Sequence, residues 1–225
     1  MTPDDLLSLD LTLFDGVTAE DLRGVDLSVQ RRTCDPWEVL FNQEDKERDV
    51  FFPLSGELLA VIWTEEGREI IFNRFSLRTH FGELAALDNG HRSVAVVART
   101  AASVLVMPQA VFLDLFTHVP VVRQRVVDGL VERVRSLTKQ NLELTTFSVE
   151  QRVASYLIRL ALERDVLDVG GRVEDAPTHS EIAASVGANR EMVSRTMTKL
   201  VKRGAITSAR KQITIVDPEA LSSVL

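Results

Sequence analysis

Short runs of β-branched and aromatic residues alternate with turn signals between residues 27 and 107. Apolar runs of this length, bounded by Gly, Asn and Asp, are typical of antiparallel strands. The pattern therefore predicts an all-β barrel or roll in this part of the chain. The runs are VFFPLSGELLAVIW, REIIFNRF, SVAVVA and SVLVMP, and the turn signals are Ser55-Gly56, Glu65-Glu66-Gly67 and Asp88-Asn89-Gly90.

The apolar spacing becomes helical after residue 108 and stays so to about residue 147, with a break predicted near Pro120. One row of residues here is spaced alternately three and four apart, which is the seam of a two-stranded coiled coil. We expect a homodimer joined along this row, in which Asn141 fixes the register; a helix packed on its own barrel is the alternative. The row is Val127, Leu130, Val134, Leu137, Asn141 and Leu144, and the charged exterior beside it is Arg123, Arg125, Glu132, Arg133, Arg135, Lys139 and Glu143.

A further helical pattern covers residues 149–163, and LDVGGRVEDAP after it is interpreted as a loop or small hairpin. Thr178 and Glu181 then have the spacing of a capping box, and Gly187 stands where a helix can end in a left-handed residue. Asn189 is a favourable cap for the next helix. This order predicts a helix-turn-helix, and ITSARKQITIV predicts two strands around a basic turn, the wing of a winged helix. The inward side chains expected on the second helix are Met192, Val193, Met197, Leu200 and Val201.

The outer side of that second helix carries residues that can read bases. Arg190 and Arg195 can each donate two hydrogen bonds to guanine, and Glu191 can accept one from cytosine. With Ser194 they lie in the first turns, the part of such a helix that enters the major groove. The chain has a net charge of −7, yet residues 178–212 hold seven Lys or Arg and two Asp or Glu. This local positive charge favours DNA binding over the alternative, an ordinary salt-bridged helix surface.

Composition narrows the class further. With 225 residues and 45% hydrophobic content, the chain can form two ordinary domains. It has no uninterrupted apolar run of about 18 residues, and its N-terminus lacks a signal-peptide pattern, so we expect a cytoplasmic protein without a membrane partner. The single Cys34 is expected to be a small buried residue.

Candidate catalytic and metal-binding patterns are weak. The single cysteine cannot hold an iron–sulfur cluster, and the four histidines are scattered rather than clustered. We therefore expect no metal, no haem, no iron–sulfur cluster and no catalytic residues. A metal-dependent β-barrel enzyme is the less favoured alternative. The histidines, each expected on the surface or in a loop, are His80, His91, His118 and His179.

The segment HFGELAALDNGHRSVAVVA, residues 80–98, sets Gly-Glu after a strand-like run and then an Arg beside a Ser. One physical interpretation is a pocket for a phosphorylated sugar. The order of all these parts, with FGELAAL…RSV and EIAASVGANREMVSR, resembles the Crp/Fnr family of bacterial transcription regulators over nearly the whole chain.

The resemblance implies an α+β fold with an N-terminal antiparallel, jelly-roll-like β-roll, a long dimerisation helix and a C-terminal winged helix-turn-helix. The implied domains are an effector-binding domain over residues 1–118, the dimerisation helix over 119–147 and a DNA-binding domain over 148–225. The implied function is that of a homodimeric, sequence-specific, DNA-binding transcription regulator under allosteric control by a small effector.

The resemblance also implies two sets of site residues. Arg92, with backbone N–H groups at Gly82 and Ser93, would hold the phosphate of a cyclic nucleotide, and Glu83 would accept from the ribose 2′-OH. An internal ion pair between Glu83 and Arg92 is the alternative. The implied effector contacts are Gly82, Glu83, Leu84, Arg92, Ser93 and Thr138, and the implied DNA contacts are Thr178, Asn189, Arg190, Glu191, Ser194, Arg195 and Lys211.

Cyclic AMP or another cyclic nucleotide is the implied effector, although Val94 stands where members that bind cyclic AMP commonly have Ala. Of the two positions that resemble the adenine contacts, Leu137 and Thr138, only Thr138 is polar. An effector-independent member that binds DNA constitutively therefore stays open. The implied DNA site is palindromic, with TGTGA-like half-sites roughly one helical turn apart. RNA polymerase is a candidate further partner, and a hinge is expected within residues 145–150.

Overall fold

The computed structural model describes residues 1–63 and 69–225, so the predicted turn at Glu65-Glu66-Gly67 lies outside the described residues. The chain divides into two compact units, Met1–Val134 and Arg135–Leu225, and each is described by itself. No helix in the described ranges is long and apolar enough to cross a membrane.

The N-terminal unit is an antiparallel β-roll with short helices at its margins. Its elements are α1 (Pro3–Leu7), β1 (Gln30–Cys34), β2 (Val39–Phe41), β3 (Val50–Ser55), β4 (Leu58–Trp63), β5 (Glu69–Phe75), α2 (Glu83–Asp88), β6 (Ala95–Ala98), β7 (Ala102–Met107), α3 (Gln109–His118) and the first part of α4 (Pro120–Thr146). The strands form a three-stranded sheet in the order β1-β7-β3 and a four-stranded sheet in the order β2-β6-β4-β5. All the pairings are antiparallel, which confirms the predicted roll.

Strand β3 joins the two halves of the core of this unit. Phe52 points to one side, where it packs with α1, α3 and the start of α4, and Phe51 points to the other, into an aromatic cluster with Phe41 and Phe81. Because successive side chains of a strand point to opposite faces, a strand buried on both faces is apolar throughout. The VFFP run of β3 therefore does not alternate with polar residues. Cys34 is 3% exposed in the second cluster, as expected for a small buried residue.

The break between α3 and α4 falls at the predicted place. Val119 is extended, and Pro120 is the first residue of α4, a position where the missing N–H and the fixed φ of proline fit a helix start. Val122 and Val126 then hold the beginning of α4 against the roll. The helix continues well beyond these two anchors, to Thr146.

The C-terminal unit is a winged helix-turn-helix. Besides the end of α4, its elements are α5 (Val149–Glu163), β8 (Arg172–Glu174), α6 (His179–Ser185), α7 (Arg190–Lys202), β9 (Ile206–Ala209), β10 (Gln212–Ile215) and α8 (Pro218–Ser222). The two predicted wing strands are β9 and β10, and a third strand pairs with them in the order β8-β10-β9. The interpretation of LDVGGRVEDAP as a loop or small hairpin was therefore incomplete. Its Arg172–Glu174 segment is a strand, and this strand pairs with β10 rather than with another part of the same segment.

The core of this unit is formed mainly by α5, α6, α7 and the wing strands. On α7 the buried stripe is Val193, Thr196, Met197 and Leu200, with the spacing of one helical face. The expectation that Met192 and Val201 point inward was wrong, since they are 36% and 40% exposed. Both residues lie at the margins of the stripe, which includes the buried Thr196 instead.

Candidate functional site

The helix-turn-helix begins with a complete capping box. The Thr178 hydroxyl oxygen accepts from the Glu181 N–H at 3.2 Å, and the Thr178 N–H donates to Glu181 Oε2 at 2.7 Å. Asn189 caps the second helix in the same manner, because its Oδ1 accepts from the Met192 N–H at 2.8 Å. Both residues were predicted as DNA contacts as well; the structure places them at the N-termini of α6 and α7, where each satisfies a backbone donor.

Gly187 makes the turn between α6 and α7, with a left-handed φ of +59°. A Cβ atom on Gly187 would lie 2.8 Å from Leu144 Cδ2, the end of a flexible side chain, so the left-handed φ is the main reason for glycine here. Arg152 on α5 contacts the same turn: its Nη2 donates to the Gly187 carbonyl at 3.3 Å. Its Nη1 donates to the carbonyls of Leu144 and Phe147 at 3.3 and 3.2 Å. The end of α4 is thereby connected to the turn of the helix-turn-helix.

The outer face of α7 is open to a ligand. Arg190, Glu191 and Arg195 are exposed, and with Ser194 they line one shallow surface depression. Within the described ranges no ion pair joins the two arginines to Glu191, so the salt-bridged alternative from the sequence is not present. Ser194 differs from its neighbours: it is half-buried, and its Oγ lies 2.8 Å from Nδ1 of His179.

The wing supplies further positive charge. Lys211 occupies the turn between β9 and β10 with a left-handed φ of +57°, which leaves it exposed beside the exposed Arg210. The Lys211 ammonium is 3.9 Å from Asp175 Oδ1, and both side chains are largely in solvent. An exposed pair of this kind contributes little to stability, so the Lys211 ammonium is available to a phosphate.

An ion-pair cluster connects the C-terminal end of α7 to α5. Glu150 accepts from Lys199 Nζ at 3.0 Å and lies 2.6 Å from Arg203 Nη1. The hydrogen bond from Lys199 lowers the pKa of the Glu150 carboxyl, and Arg203 lowers that pKa further. The exposed Arg190 and Glu191 lie at the opposite, N-terminal end of α7.

The second candidate site is the segment Gly82, Glu83, Arg92 and Ser93, called the cassette below. Gly82 has a φ of +90° and precedes α2, whose first residue, Glu83, is 9% exposed. Leu84 is 40% exposed, and Ser93 is exposed as well. A Cβ atom on Gly82 would lie 2.6 Å from Arg92 Nη1, which shows why only glycine fits there.

Arg92 is the most buried charged residue of the cassette, at 2% exposed. Its Nη1 donates to the Gly82 carbonyl at 3.1 Å and its Nη2 donates to the Asp49 carbonyl at 2.7 Å. The guanidinium also lies over the Phe41 ring, 4.2 Å from the centroid. Burial lowers the pKa of Arg92, while the surrounding carboxylates, Asp49 first, act in the opposite direction. Arginine nevertheless stays charged, because its ordinary pKa is so high.

The two charged side chains of the cassette, Glu83 and Arg92, interact through space but share no direct contact in the described chain. In the part of the chain that the structure describes, no ion pair joins Glu83 to Arg92, and the Glu83 carboxylate has no hydrogen-bond partner. The Nε of Arg92 is also buried without a partner. The cassette therefore contains a guanidinium donor that is buried and unsatisfied, and a carboxylate, on a residue 9% exposed, that has no hydrogen-bond partner in the described chain. Such a pair fits a ligand that carries an anionic group and a hydroxyl.

The predicted seam residues differ in their surroundings. Val127, Val134, Leu137 and Leu144 are between 42% and 62% exposed, and Asn141 is exposed too. Leu130 is half-buried and packs against the core of the roll, while Val131 beside it is 44% exposed.

Thr138, the sixth predicted effector contact, is an exposed residue of α4 in the C-terminal unit.

Glu143 corrects one part of the sequence interpretation. It was assigned to the charged exterior of the long helix, yet it is 6% exposed. Its carboxylate accepts from Arg159 Nη1 and from the Ser155 hydroxyl, each at 2.9 Å. The helical periodicity could not distinguish Glu143 from its exposed neighbours, because the partners lie on α5.

Several contributors had no recognisable signal in the sequence. Phe41 and the Asp49 carbonyl hold Arg92. Arg152 contacts the helix-turn-helix from α5, and His179 joins its first helix to its second. A backbone carbonyl carries no residue-specific pattern, and the pairing of distant helices follows only from the folded chain.

Comparison with known proteins identifies the two domains that contain these candidate sites. Residues 31–118 match the model of the cyclic nucleotide-binding domain, and residues 151–224 match that of the Crp-like helix-turn-helix domain. The cyclic AMP receptor protein of Thermus thermophilus is 30% identical over 200 residues, covering 86% of this chain and 87% of the relative. The cAMP-activated global transcriptional regulator CRP of Salmonella typhimurium is 27% identical over 177 residues, covering 78% of this chain and 84% of the relative.

A solved structure supports the fold. FixK2 from Bradyrhizobium japonicum aligns with a TM-score of 0.72 at 19% identity, over 88% of this chain and 98% of that chain. The architecture and the two domains define a DNA-binding transcription regulator with a cyclic nucleotide-binding domain, and not an enzyme. The chain belongs to the Crp/Fnr family.

Proposed function

We propose that the protein is a homodimeric, sequence-specific DNA-binding regulator whose affinity for its operator is set by a cyclic nucleotide held at the cassette. In this proposal residues 1–118 bind the effector, residues 119–147 form the dimer and residues 148–225 bind DNA. The relatives are bacterial regulators, so we place the protein in the cytoplasm, where bacterial DNA lies. RNA polymerase is a proposed further partner.

The observation that carries the effector proposal is the unsatisfied pair of the cassette. Arg92 Nε is buried without a partner, and the Glu83 carboxylate, on a residue 9% exposed, has no hydrogen-bond partner among the described residues. A nucleotide phosphate would accept from the remaining guanidinium donors, and a ribose hydroxyl would donate to Glu83. Ser93 and Leu84 are exposed beside them and would contact the same ligand. Thr138 on α4 is the proposed contact to the base.

The proposed DNA contacts follow from exposure and charge. Arg190, Glu191, Ser194 and Arg195 read base edges, and Thr178, Asn189 and Lys211 contact the backbone. Because the proposed dimer is two-fold symmetric, the operator is palindromic, with half-sites roughly one helical turn apart. The effector shifts a pre-existing equilibrium between two arrangements of the DNA-binding domains, by no more than its difference in affinity for the two. The two non-helical residues Phe147 and Ser148 are the proposed hinge.

Thermal unfolding of the full-length protein with a panel of cyclic mono- and dinucleotides tests the effector proposal. One nucleotide is expected to raise the unfolding midpoint, with about 2.7 kcal/mol of stabilisation at a hundredfold excess over its dissociation constant. Glu83→Ala is expected to weaken that nucleotide roughly tenfold or more, because it removes a hydrogen bond to a charged group. Glu20→Ala, at an exposed position of the same unit, is the matched control and should leave the shift unchanged.

The second candidate is a regulator that binds DNA without an effector. It is favoured by the bonds of Arg92 to the Gly82 and Asp49 carbonyls, which give the guanidinium a role within the roll itself. If no nucleotide of the panel moves the midpoint and the protein still binds its operator, this candidate replaces the first.

A further inference from the structure

One contact inside the helix-turn-helix is not explained by the packing of its core. His179 is the first residue of α6, and its Nδ1 lies 2.8 Å from Oγ of Ser194 in the second turn of α7. Both side chains are half-buried, and neither belongs to the apolar core of the unit. The contact joins the two helices at the outer face that carries the proposed base-reading residues.

The Ser194 hydroxyl does not form the hydrogen bond to its own helix backbone that is common for serine. Serine and threonine on helices commonly donate to the carbonyl four residues earlier. Thr198 does so with the Ser194 carbonyl at 3.0 Å, and Ser185 does so with the Glu181 carbonyl at 2.9 Å. The hydrogen-bond partner of Ser194 Oγ in the described chain is instead the His179 ring. The ring therefore draws the hydroxyl away from its own helix backbone.

A hydroxyl held in this way keeps capacity for a second partner. A serine hydroxyl has one O–H donor and two acceptor lone pairs, and its contact with the imidazole nitrogen of His179 uses only one of these three. Ser194 shares a surface depression with Arg190, Glu191 and Arg195, so its free positions lie on the face that these residues present. A serine hydroxyl can bond either to a donor or to an acceptor on a base edge.

We propose that His179 is a positioning residue for sequence recognition: its ring orients the Ser194 hydroxyl so that Ser194 discriminates one base pair in each half-site. This inference rests on the proposed function, because it requires that the outer face of α7 reads bases. Without the ring, the hydroxyl turns to the Arg190 carbonyl, four residues earlier, and the discrimination is lost while the fold persists.

The test uses the full-length protein and an operator selected from a randomised DNA duplex library, with and without cyclic AMP. Affinities are then measured for the operator and for every single base-pair change in one half-site. Ser194→Ala is expected to reduce discrimination at one base pair by roughly three- to tenfold, the effect of one hydrogen bond. His179→Ala is expected to reduce it at the same base pair, and the double variant is expected to add nothing further.

His179→Asn is the rescue variant, because its side-chain amide can occupy the position of Nδ1, and it should restore most of the discrimination. Ser180→Ala, at the exposed neighbouring position of α6, is the matched control and should change nothing. Equal weakening of all sequences by His179→Ala, including non-specific DNA, would make His179 a phosphate contact and overturn the inference. Loss of discrimination at different base pairs in the two single variants would overturn it as well.

The variant Arg190→Ala distinguishes failure of the inference about His179 from failure of the proposed function. If Arg190→Ala alters base preference while His179→Ala does not, only the inference about His179 fails. If the protein selects no DNA, or if neither Arg190→Ala nor Ser194→Ala alters any base preference, α7 does not read bases and both proposals fall.

Discussion

At the scale of single residues, Arg92 combines two roles that a sequence motif cannot separate. The motif indicates an anion-binding arginine, whereas the structure shows a guanidinium that also holds two backbone carbonyls and lies on the Phe41 ring. A loss of ligand response in an Arg92 variant would therefore be ambiguous, since the roll itself would be weakened. Glu83, which has no such bonds in the described structure, is the better residue for testing the effector.

Arg92→Ala is expected to destabilise the N-terminal unit by about 2–3 kcal/mol, because two partly buried carbonyls lose their donor and the packing of the buried guanidinium on Phe41 is lost. Urea unfolding of the full-length variant measures this, with Arg23→Ala, largely exposed, as the control expected to lie within about 0.5 kcal/mol of the parent. A variant as stable as the parent would show that water replaces the guanidinium without cost.

Gly82 and Gly24 offer a matched pair for the close approach in the cassette. Both have left-handed φ values, +90° and +87°, but a Cβ on Gly24 meets nothing within 4 Å. Gly24→Ala is expected to cost about 1–2 kcal/mol, the conformational penalty alone. Gly82→Ala should cost at least about 1 kcal/mol more, because its Cβ meets Arg92 and the Asp49 carbonyl. Equal losses in urea unfolding would mean that Arg92 moves aside freely.

At the scale of helices, the contacts between α4, α5 and α7 determine how the recognition helix is held. Glu143 and Arg152 join the end of α4 to α5 and to the Gly187 turn, and Glu150 joins α5 to the far end of α7. None of these contacts involves the apolar stripe of α7. These polar contacts therefore add to the apolar packing of α7 against α5.

Glu143→Ala is expected to lower the stability of the C-terminal unit by about 1–3 kcal/mol. It leaves the partly buried Arg159 without its carboxylate and leaves the buried Ser155 hydroxyl without its acceptor. Glu132→Ala, exposed on the same helix, is the control. Unfolding followed by circular dichroism measures the stability of both variants. If Glu143→Ala is as stable as Glu132→Ala, Glu143 does not form a stabilising ion pair with Arg159.

Glu150 gives this helix contact a dependence on pH. Its folded-state pKa is below the ordinary 4.5, so its stabilising contribution is complete above about pH 5 and is lost as the pH falls through the folded-state pKa. The stability difference between the parent and Glu150→Gln should thus be largest near pH 7 and shrink towards pH 3. Urea unfolding at both pH values measures this stability difference, and Glu219→Gln, at an exposed position, is the control. A difference that does not vary with pH contradicts the ion-pair account.

At the scale of the whole molecule, the exposed apolar side of α4 is the proposed dimer surface. Val134→Glu, at a position 62% exposed, is expected to shift the protein from dimer to monomer and to weaken operator binding, with little change in folding. Val169→Glu, 78% exposed in a loop, is the matched control for the added charge. Sedimentation velocity at micromolar protein concentration measures the fraction of dimer in each variant. If Val134→Glu remains as dimeric as the parent, this side of α4 is not the dimer surface.

The sequence predicted those features that depend on local patterns. Strand composition, the Pro120 break, the capping box at Thr178 and the outward Arg190 and Arg195 all follow from spacing within one element. It did not predict the third wing strand, the burial of Glu143 or the partners of Arg92, because each depends on residues that are distant in the chain. The exposure of Met192 was missed for a related reason, since periodicity gives the direction of a side chain but not the width of the buried stripe.

The separation of inward and outward residues on α7 has an evolutionary consequence. Val193, Met197 and Leu200 carry the stability of the helix, while Arg190, Glu191 and Arg195 are solvent-exposed and form no ion pairs with one another in the described structure. Mutations at the exposed positions therefore carry little folding penalty. If these residues read bases as proposed, descendants of this chain can acquire a new operator without passing through an unstable intermediate. Ser194 is the exception, because a change there must be accommodated by His179 in the neighbouring helix.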